Sequence, residues 1–430
     1  MTPRERVARR TLLSLLERLP EGRLTIIEGQ QRMTFGRGDP RATVEVLSAR
    51  LWPMLLHGSR GLAEAYTDGH WTSPDLTAVV RVAARNASVL DLWRRRVAPA
   101  RTALQVARGL RARNTRARSR RSIAAHYDLG NEFFALMLDE TMTYSCAYFS
   151  RREMTLGQAS TAKLELVCRQ LELQSDDDVL EIGSGWGAFA VYAAKTRGCR
   201  VTTTTISREQ YEYARAQAQA AGVADLVTVL CEDYRDLRGS YDKLVSIEMI
   251  EAVGWRDFGT FFARCSNLLA ADGSLLLQAI VIDDRAYAVE RTSRSFIRTH
   301  IFPDGCLPSL EVIARCVARH ADLRITSLKD LTPHYAETLR RWRANFEAAH
   351  ARAEELGYDE RFRRMWRMYL AYCEAGFEER RIGVVQMHLA KPRWRERAGF
   401  MQPEVIASAP ESRASAAPSP LGRSVSAGRT

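Results

Sequence analysis

Nowhere in the 430-residue chain does an apolar run approach the ~20 residues that a membrane-spanning helix needs. If the protein meets a membrane, it does so from the surface. The eight cysteines, at positions 146, 168, 199, 231, 265, 306, 316 and 373, include no C-x-x-C pair and no histidine at zinc-ligand spacing. That excludes the usual zinc modules, so no metal is expected, and it points to free thiols in a reducing cytoplasm. The opening "MTPRERVARRTLLSLLERLP" is a basic amphipathic stretch interrupted by Arg9, Arg10, Glu17 and Arg18. It has neither the unbroken apolar core nor the small-residue cleavage site of a signal peptide. From Arg94 to Arg121 there is no acidic residue, and between Val97 and Arg121 there is no aromatic one.

What is present is positive charge. Lysine and arginine number 63 against 51 acids, a formal net charge of +12, so the expected partner is anionic: nucleic acid or a membrane surface. Eleven of the arginines fall between Arg94 and Arg121, and charges this dense repel one another unless an anion neutralises them. Without rings for bases to stack on, single-stranded nucleic acid is the poorer fit. Anionic lipid headgroups are the better one, so no nucleic-acid partner is expected.

With 46% hydrophobic residues, the chain can build two or three domains with proper cores. Residues 1–90 read as a small α+β unit, with alternating stretches such as "RLTIIEG" and "RMTFGRG", and residues 91–121 as an arginine-rich linker. From about residue 160 strands alternate with helices, "DVLEIG", "CRVTTTTI", "LVTVLC", "KLVSIEM" and "SLLLQAIV" being the strands. That alternation predicts an α/β, doubly wound, mostly parallel sheet, within a catalytic domain spanning 122–400. The tail, 401–430, is rich in Ala, Ser, Pro and Arg and is expected to be disordered.

The first of these strands ends in "VLEIGSGWGAFA", with Gly183, Gly185 and Gly187 directly before a helix. Glycines admit a ligand close to the backbone, and the helix start offers unpaired N–H groups. A dinucleotide site wants an acid at the end of the second strand, but "VTTTTISREQ" offers threonines and Ser207 before Glu209. Glu181 instead ends the first strand, where a carboxylate can meet the amino group of S-adenosylmethionine. That cofactor is the preferred reading of the turn.

"AAHYDLGNEFFALMLDETMTYSCAYFS", "VLEIGSGWGAFA", "TTTTISREQYEYA", "CEDYRDL", "SIEMIEAVG", "IFPDGCLPS" and "PHYAETLRRW" together resemble the cyclopropane-fatty-acyl-phospholipid synthases and their mycolic-acid-modifying relatives. The resemblance runs from roughly Leu12 to Lys391 and implies a class I S-adenosylmethionine-dependent methyltransferase that methylates the double bond of an unsaturated phospholipid acyl chain. It implies that Tyr144 and Ser145 close over the methionine end of the cofactor, that Gln210 takes the ribose, and that Asp233 and Tyr234 frame the adenine. It further implies a bound bicarbonate as the base for ring closure, held by the Cys146 backbone, Glu251, a histidine, the Ile280 backbone and Tyr335.

Two departures stand out. The family's "EHVG" reads "EAVG", with Ala252, and its "LLHTI" reads "LLQAI", with Gln278 where the histidine stands. Glutamine exchanges hydrogen bonds but carries no transferable proton. Cyclopropane is the expected product, with a methylene group, or a methyl branch made with a reductase partner, as alternatives. An RNA methyltransferase is disfavoured by the missing aromatic platform and the lack of an N-P-P-Y-like motif. A non-enzymatic lipid-binding protein is disfavoured by the intact glycines and Glu251. The expected location is cytoplasmic, on the inner face of the membrane, and the sequence leaves the oligomeric state, homodimer included, open.

Overall fold

Thr2 and Glu5 close a capping box, each side chain accepting from the other's backbone N–H, and the helix Pro3–Leu16 follows. Side chains at a helix start satisfy donors that the helix itself cannot. The chain then turns into β1 (Gly22–Glu28), β2 (Gln31–Arg37), β3 (Arg41–Val46) and β4 (Trp71–Thr72), in the sheet order β2-β1-β3-β4. β3 buries Ala42, Val44 and Val46 at alternate positions, the period of a strand with one covered face. β1 pairs antiparallel with β2 and parallel with β3. The structure is a computed structural model describing residues 1–87 and 129–397. The arginine-rich stretch from Arg94 to Arg121 and the tail 401–430 lie outside the described residues.

The second sheet holds β5 (Asp178–Ile182), β6 (Arg200–Thr204), β7 (Val227–Leu230), β8 (Tyr241–Ile247), β9 (Leu269–Ile282), β10 (Arg324–Asp330) and β11 (Ile382–Ala390). Their order is β10-β11-β9-β8-β5-β6-β7. β5 to β9 run parallel, whereas β11 pairs antiparallel with both β9 and β10. The expected α/β, mostly parallel, doubly wound sheet is therefore present. Four strands were not anticipated. β3 alternates in "RATVEV" but was passed over, β4 is only two residues long, and "RITSLKD" of β10 is an edge strand with almost no burial, so it carries no alternation. β11, "IGVVQMHLA", is a nearly continuous apolar run with seven consecutive buried residues, which periodicity cannot assign.

Strand order reverses at β5, which is flanked by β6 on one side and β8 on the other. Such a reversal opens a crevice at the carboxyl ends of the strands. The chain through Trp394 forms one compact unit, and a second unit, Arg395–Thr430, has no regular element among its described residues.

The 19-residue helix Glu360–Glu378 ties the first sheet's layer to the second. Arg364 lies 4.0 Å over the Tyr66 ring and donates to the Tyr66 and Trp71 carbonyls. Glu379, just past the helix, accepts from Arg81 at 2.7 Å and Arg85 at 2.6 Å. The apolar layer between the two sheets is thus held at its rim by charge.

Candidate functional site

The glycine turn follows from where β5 ends. Gly183, Gly185 and Gly187 have φ of 99°, 50° and 91°, a region that side chains rarely adopt and glycine enters freely. The N–H groups of Gly183 and Ser184 are both tied to the Thr204 carbonyl at the end of β6. A Cβ on Gly185 would meet no protein atom within 4 Å, so the turn faces open space. Trp186 donates its indole N–H to Asn131 Oδ1 at 2.6 Å, which fastens the start of the catalytic domain to the turn.

Around this cradle lie the other residues expected to bind the cofactor. Thr203 donates to the buried Glu181 carboxylate at 2.6 Å, and burial pushes the Glu181 carboxyl up to about 8. A cation brought against it would favour the ionised form. Gln210 is buried and accepts from the Thr205 hydroxyl at 2.8 Å. Asp233 is held bidentate by Arg235, at 2.8 and 2.7 Å. The Tyr234 hydroxyl is buried with no hydrogen-bond partner. Tyr144 shares a 2.7 Å hydroxyl contact with Tyr369, and Ser145 accepts from Lys163 at 3.0 Å. An open glycine cradle, a buried acid and an orphaned tyrosine hydroxyl fit S-adenosylmethionine, whose chemistry is an electrophilic sulfonium methyl.

The expected anion ligands also come together, around a side chain that sequence reading passed over. Cys146 N–H donates to Glu248 Oε1 at 2.8 Å, the Gln278 amide donates to the same oxygen at 2.7 Å, and Tyr335 Oη donates to Glu248 Oε2 at 2.6 Å. The Ile280 N–H donates to Glu251 Oε1 at 2.5 Å. Glu251 Oε2 is buried and has no partner. The groups expected to hold bicarbonate thus already hold the protein's own carboxylates. They do not fit a further anion, which would face two carboxyl groups with these donors engaged. Gln278 is itself oriented: Gln386 donates to its Oε1 at 2.9 Å and accepts from Gln170 at 2.5 Å. That relay turns the Gln278 amide nitrogen toward Glu248.

Glu248 and Lys163 are the residues that sequence analysis missed. Lys163 reads as one polar position in the helix Leu156–Gln170, yet it is only 2% exposed. Burial lowers its pKa, while the charges of Glu248 and its neighbours act in the opposite sense. Glu248 stands inside "SIEMIEAVG" with φ of 51°, unusual for a residue with a side chain and characteristic of functional positions. The tertiary distances alone reveal it.

Burial, followed by the charge of Glu248, pushes the Glu251 carboxyl up to about 8 from its ordinary 4.5. Between those values the folded apoprotein keeps a proton that the unfolded chain has lost. Linkage then makes stability fall as pH rises across that window. Glu251→Gln should flatten this fall, gaining roughly 1–3 kcal/mol relative to wild type near pH 8. Thermal unfolding of both apoproteins from pH 5 to 8.5 checks it, and parallel curves would contradict it.

A cavity of about 1160 Å³ joins these parts. That exceeds the ~300–1,000 Å³ of an ordinary small-molecule site. One end is lined by Gly183, Gln210 and Tyr234, the middle by Glu248, Glu251 and Tyr335, and the far end by Leu16, Ile26, Val44, Leu55 and Val80 of the first sheet and its helices. Cys146 and Gln278 are fully buried behind the middle section.

The residues 114–387 match the family described as mycolic acid cyclopropane synthetase. The chain is 40% identical over 372 residues, 83% of its length and 85% of the relative's, to the tuberculostearic acid methyltransferase UfaA1 of Mycobacterium tuberculosis. It is 35% identical over 340 residues, 78% of its length and 84% of the relative's, to the cyclopropane-fatty-acyl-phospholipid synthase of Escherichia coli K12. Among solved structures, the mycolic acid cyclopropane synthase CmaA1 complexed with SAH and CTAB superposes with a TM-score of 0.59 at 33% identity, covering 63% of this chain and 98% of that one. Glycine cradle, buried carboxylates and these likenesses agree: the chain belongs to the mycolic acid cyclopropane synthetase family and is an S-adenosylmethionine-dependent methyltransferase of the cyclopropane synthase type.

Proposed function

We propose that the protein transfers a methyl group to the double bond of an unsaturated acyl chain in a membrane phospholipid, and that a proton is then lost from the chain to close a cyclopropane ring. The observation that carries this reading is the single cavity running from the glycine cradle, past Glu248 and Tyr335, into an apolar chamber lined by Leu16, Ile26 and Val80. A cofactor-sized polar end and a long apolar end suit a methyl donor facing a hydrocarbon chain.

An isolated double bond is a poor nucleophile, so the residues must supply orientation. Tyr144 and Ser145 sit at the donor end, where closing the site over both reactants can contribute ~7–11 kcal/mol. Methylation leaves a cation on the chain, which water would capture if admitted. The rings of Tyr335, Tyr369 and Phe377 line the same cavity, and a desolvated aromatic face favours a cation by ~2 kcal/mol or more.

A second reading, loss of the proton to leave a methylene group, is favoured by Gln278 in the histidine position and by the 40% identity to a protein named as a methyltransferase rather than as a cyclopropane synthase. Mass spectrometry of lipids from a host expressing the chain tests both. A gain of 14 Da on phospholipid acyl chains is expected, and catalytic hydrogenation separates ring from alkene. A gain of 16 Da would mean that a reductase partner acts afterwards. No change in any lipid would overturn the proposal.

Membrane attachment belongs to the same proposal. No helix among the described residues is long and apolar enough to cross a membrane, and the arginines from Arg94 to Arg121 are the proposed contact with anionic headgroups. Each well-placed arginine contributes ~1 kcal/mol near such a surface, screened over ~10 Å at 0.1 M salt. Liposome flotation should show binding to anionic vesicles that weakens as salt rises. Equal binding to neutral vesicles at low salt would count against it.

A further inference from the structure

We propose that Glu248 is the catalytic base of this enzyme, a carboxylate built into the chain at the place where a free bicarbonate would otherwise be bound. The inference rests on the lipid methylation proposed above and names the group that completes it.

Three features point to Glu248. Its carboxylate is held by a backbone N–H, a side-chain amide and a phenol, from Cys146, Gln278 and Tyr335, at 2.6–2.8 Å. Donors of this kind favour the ionised form of a carboxylate and fix it in place. Two of them meet on Oε1 while Oε2 receives only Tyr335, so Oε2 keeps a lone pair for a proton. The residue also lines the cavity between the glycine cradle and the apolar chamber, and its backbone is held at φ of 51° to put it there.

Burial raises the Glu248 carboxyl above its ordinary value, and the bonds from Tyr335, Cys146 and Gln278 and the charge of Lys163 oppose that rise. Neighbouring Glu251, with its carboxyl pushed up to about 8, stays neutral near pH 7. Glu248 accepts three hydrogen bonds whereas Glu251 accepts one on Oε1 and none on Oε2, so of the two acids Glu248 is the one built to hold the charge. Gln278 suits this arrangement. An imidazole could carry a proton of its own beside the base, whereas an amide oriented by Gln386 only donates a hydrogen bond.

The step balances without a co-reactant. As the π electrons of the chain bond to the methyl carbon, the carbon–sulfur bond breaks with its pair remaining on sulfur, and the cation appears on the chain. A C–H bond of the added methyl then breaks. Its electron pair closes the ring, or forms the methylene double bond after a hydride shift, and its proton goes to Glu248 Oε2. The sulfonium charge and the carboxylate charge are both gone at the end.

Bicarbonate binding and bicarbonate dependence together form the test. Wild-type protein should turn over lipid at the same rate in degassed, carbonate-free buffer as with added bicarbonate. It should also leave the ¹³C signal of labelled bicarbonate unperturbed. Glu248→Gln should keep its affinity for S-adenosylhomocysteine and its melting temperature but lose ~10²–10⁴-fold in turnover, the scale of a general base. Glu248→Gly, which suits the left-handed backbone, should leave a hole bounded by the same donors. That variant should bind labelled bicarbonate saturably and recover activity when bicarbonate or formate is added.

A wild-type rate that collapses on degassing, full turnover in Glu248→Gln, or no bicarbonate binding by Glu248→Gly would each overturn the proposal. If wild type instead methylates no lipid, the proposed function fails, and the binding comparison still judges the anion site by itself.

Discussion

Gly183→Val abolishes cofactor binding and leaves the fold standing: Kd for S-adenosylmethionine rises at least ~10²-fold in calorimetry, with far-UV circular dichroism unchanged. The residue sits at φ of 99°, and a Cβ there would lie 3.1 and 3.2 Å from the Met249 side chain. A β-branched residue is strongly disfavoured at such an angle, at ~1–3 kcal/mol, and relieving the strain moves the turn. Gly185→Ala separates the two effects. Its Cβ would meet no protein atom within 4 Å, so beyond ~1–2 kcal/mol of backbone strain at φ of 50° it should keep the fold and lose affinity because the cofactor occupies that space. Unchanged affinity in both variants would put the cofactor elsewhere.

The second large effect is expected far from the glycines. Leu55 lines the apolar end of the cavity, on the short helix Leu51–Leu55 beside the first sheet. Leu55→Glu places a carboxylate where the acyl chain is proposed to lie. In the empty chamber it can be hydrated, but bound hydrocarbon would strip that water, at a cost of ~2–3 kcal/mol. KM for phospholipid should rise ~30–150-fold, while cofactor affinity stays within about twofold. Leu55→Met, which keeps the apolar volume, should behave as wild type. An unmoved KM in Leu55→Glu would mean that the chain enters by another route.

Much of the catalytic core is legible in the sequence. The parallel strands β5 to β9 announce themselves as apolar runs separated by amphipathic helices, and the glycines must follow β5 because only a reversal in strand order leaves backbone open to a ligand. Cys146, Gln278, Ile280 and Tyr335 were all expected near one small pocket, and all four meet there or beside it. What was not legible is what they hold. In sequence Glu248 is one more acid after a strand, three positions before the Glu251 on which attention fell. Only the pairing of β9 against β8 and β11, and the packing of the helix that carries Tyr335, bring donors from three separate parts of the chain, Cys146, Gln278 and Tyr335, onto its two oxygens.

Local chemistry therefore determined the fold class, the cofactor turn and the absence of zinc-type cysteine spacing, because glycine, periodicity and ligand spacing act within a few residues of one another. The tertiary structure decided three things that depend on distance through space. It buried Lys163 on Ser145, within the field of carboxylates from other elements. It opened the apolar chamber by packing the first sheet's layer on the helix Glu360–Glu378. And it placed a side chain, Glu248, among the donors expected to hold a free ion, since a carboxylate's partners are fixed by packing and not by the residues beside it in the chain.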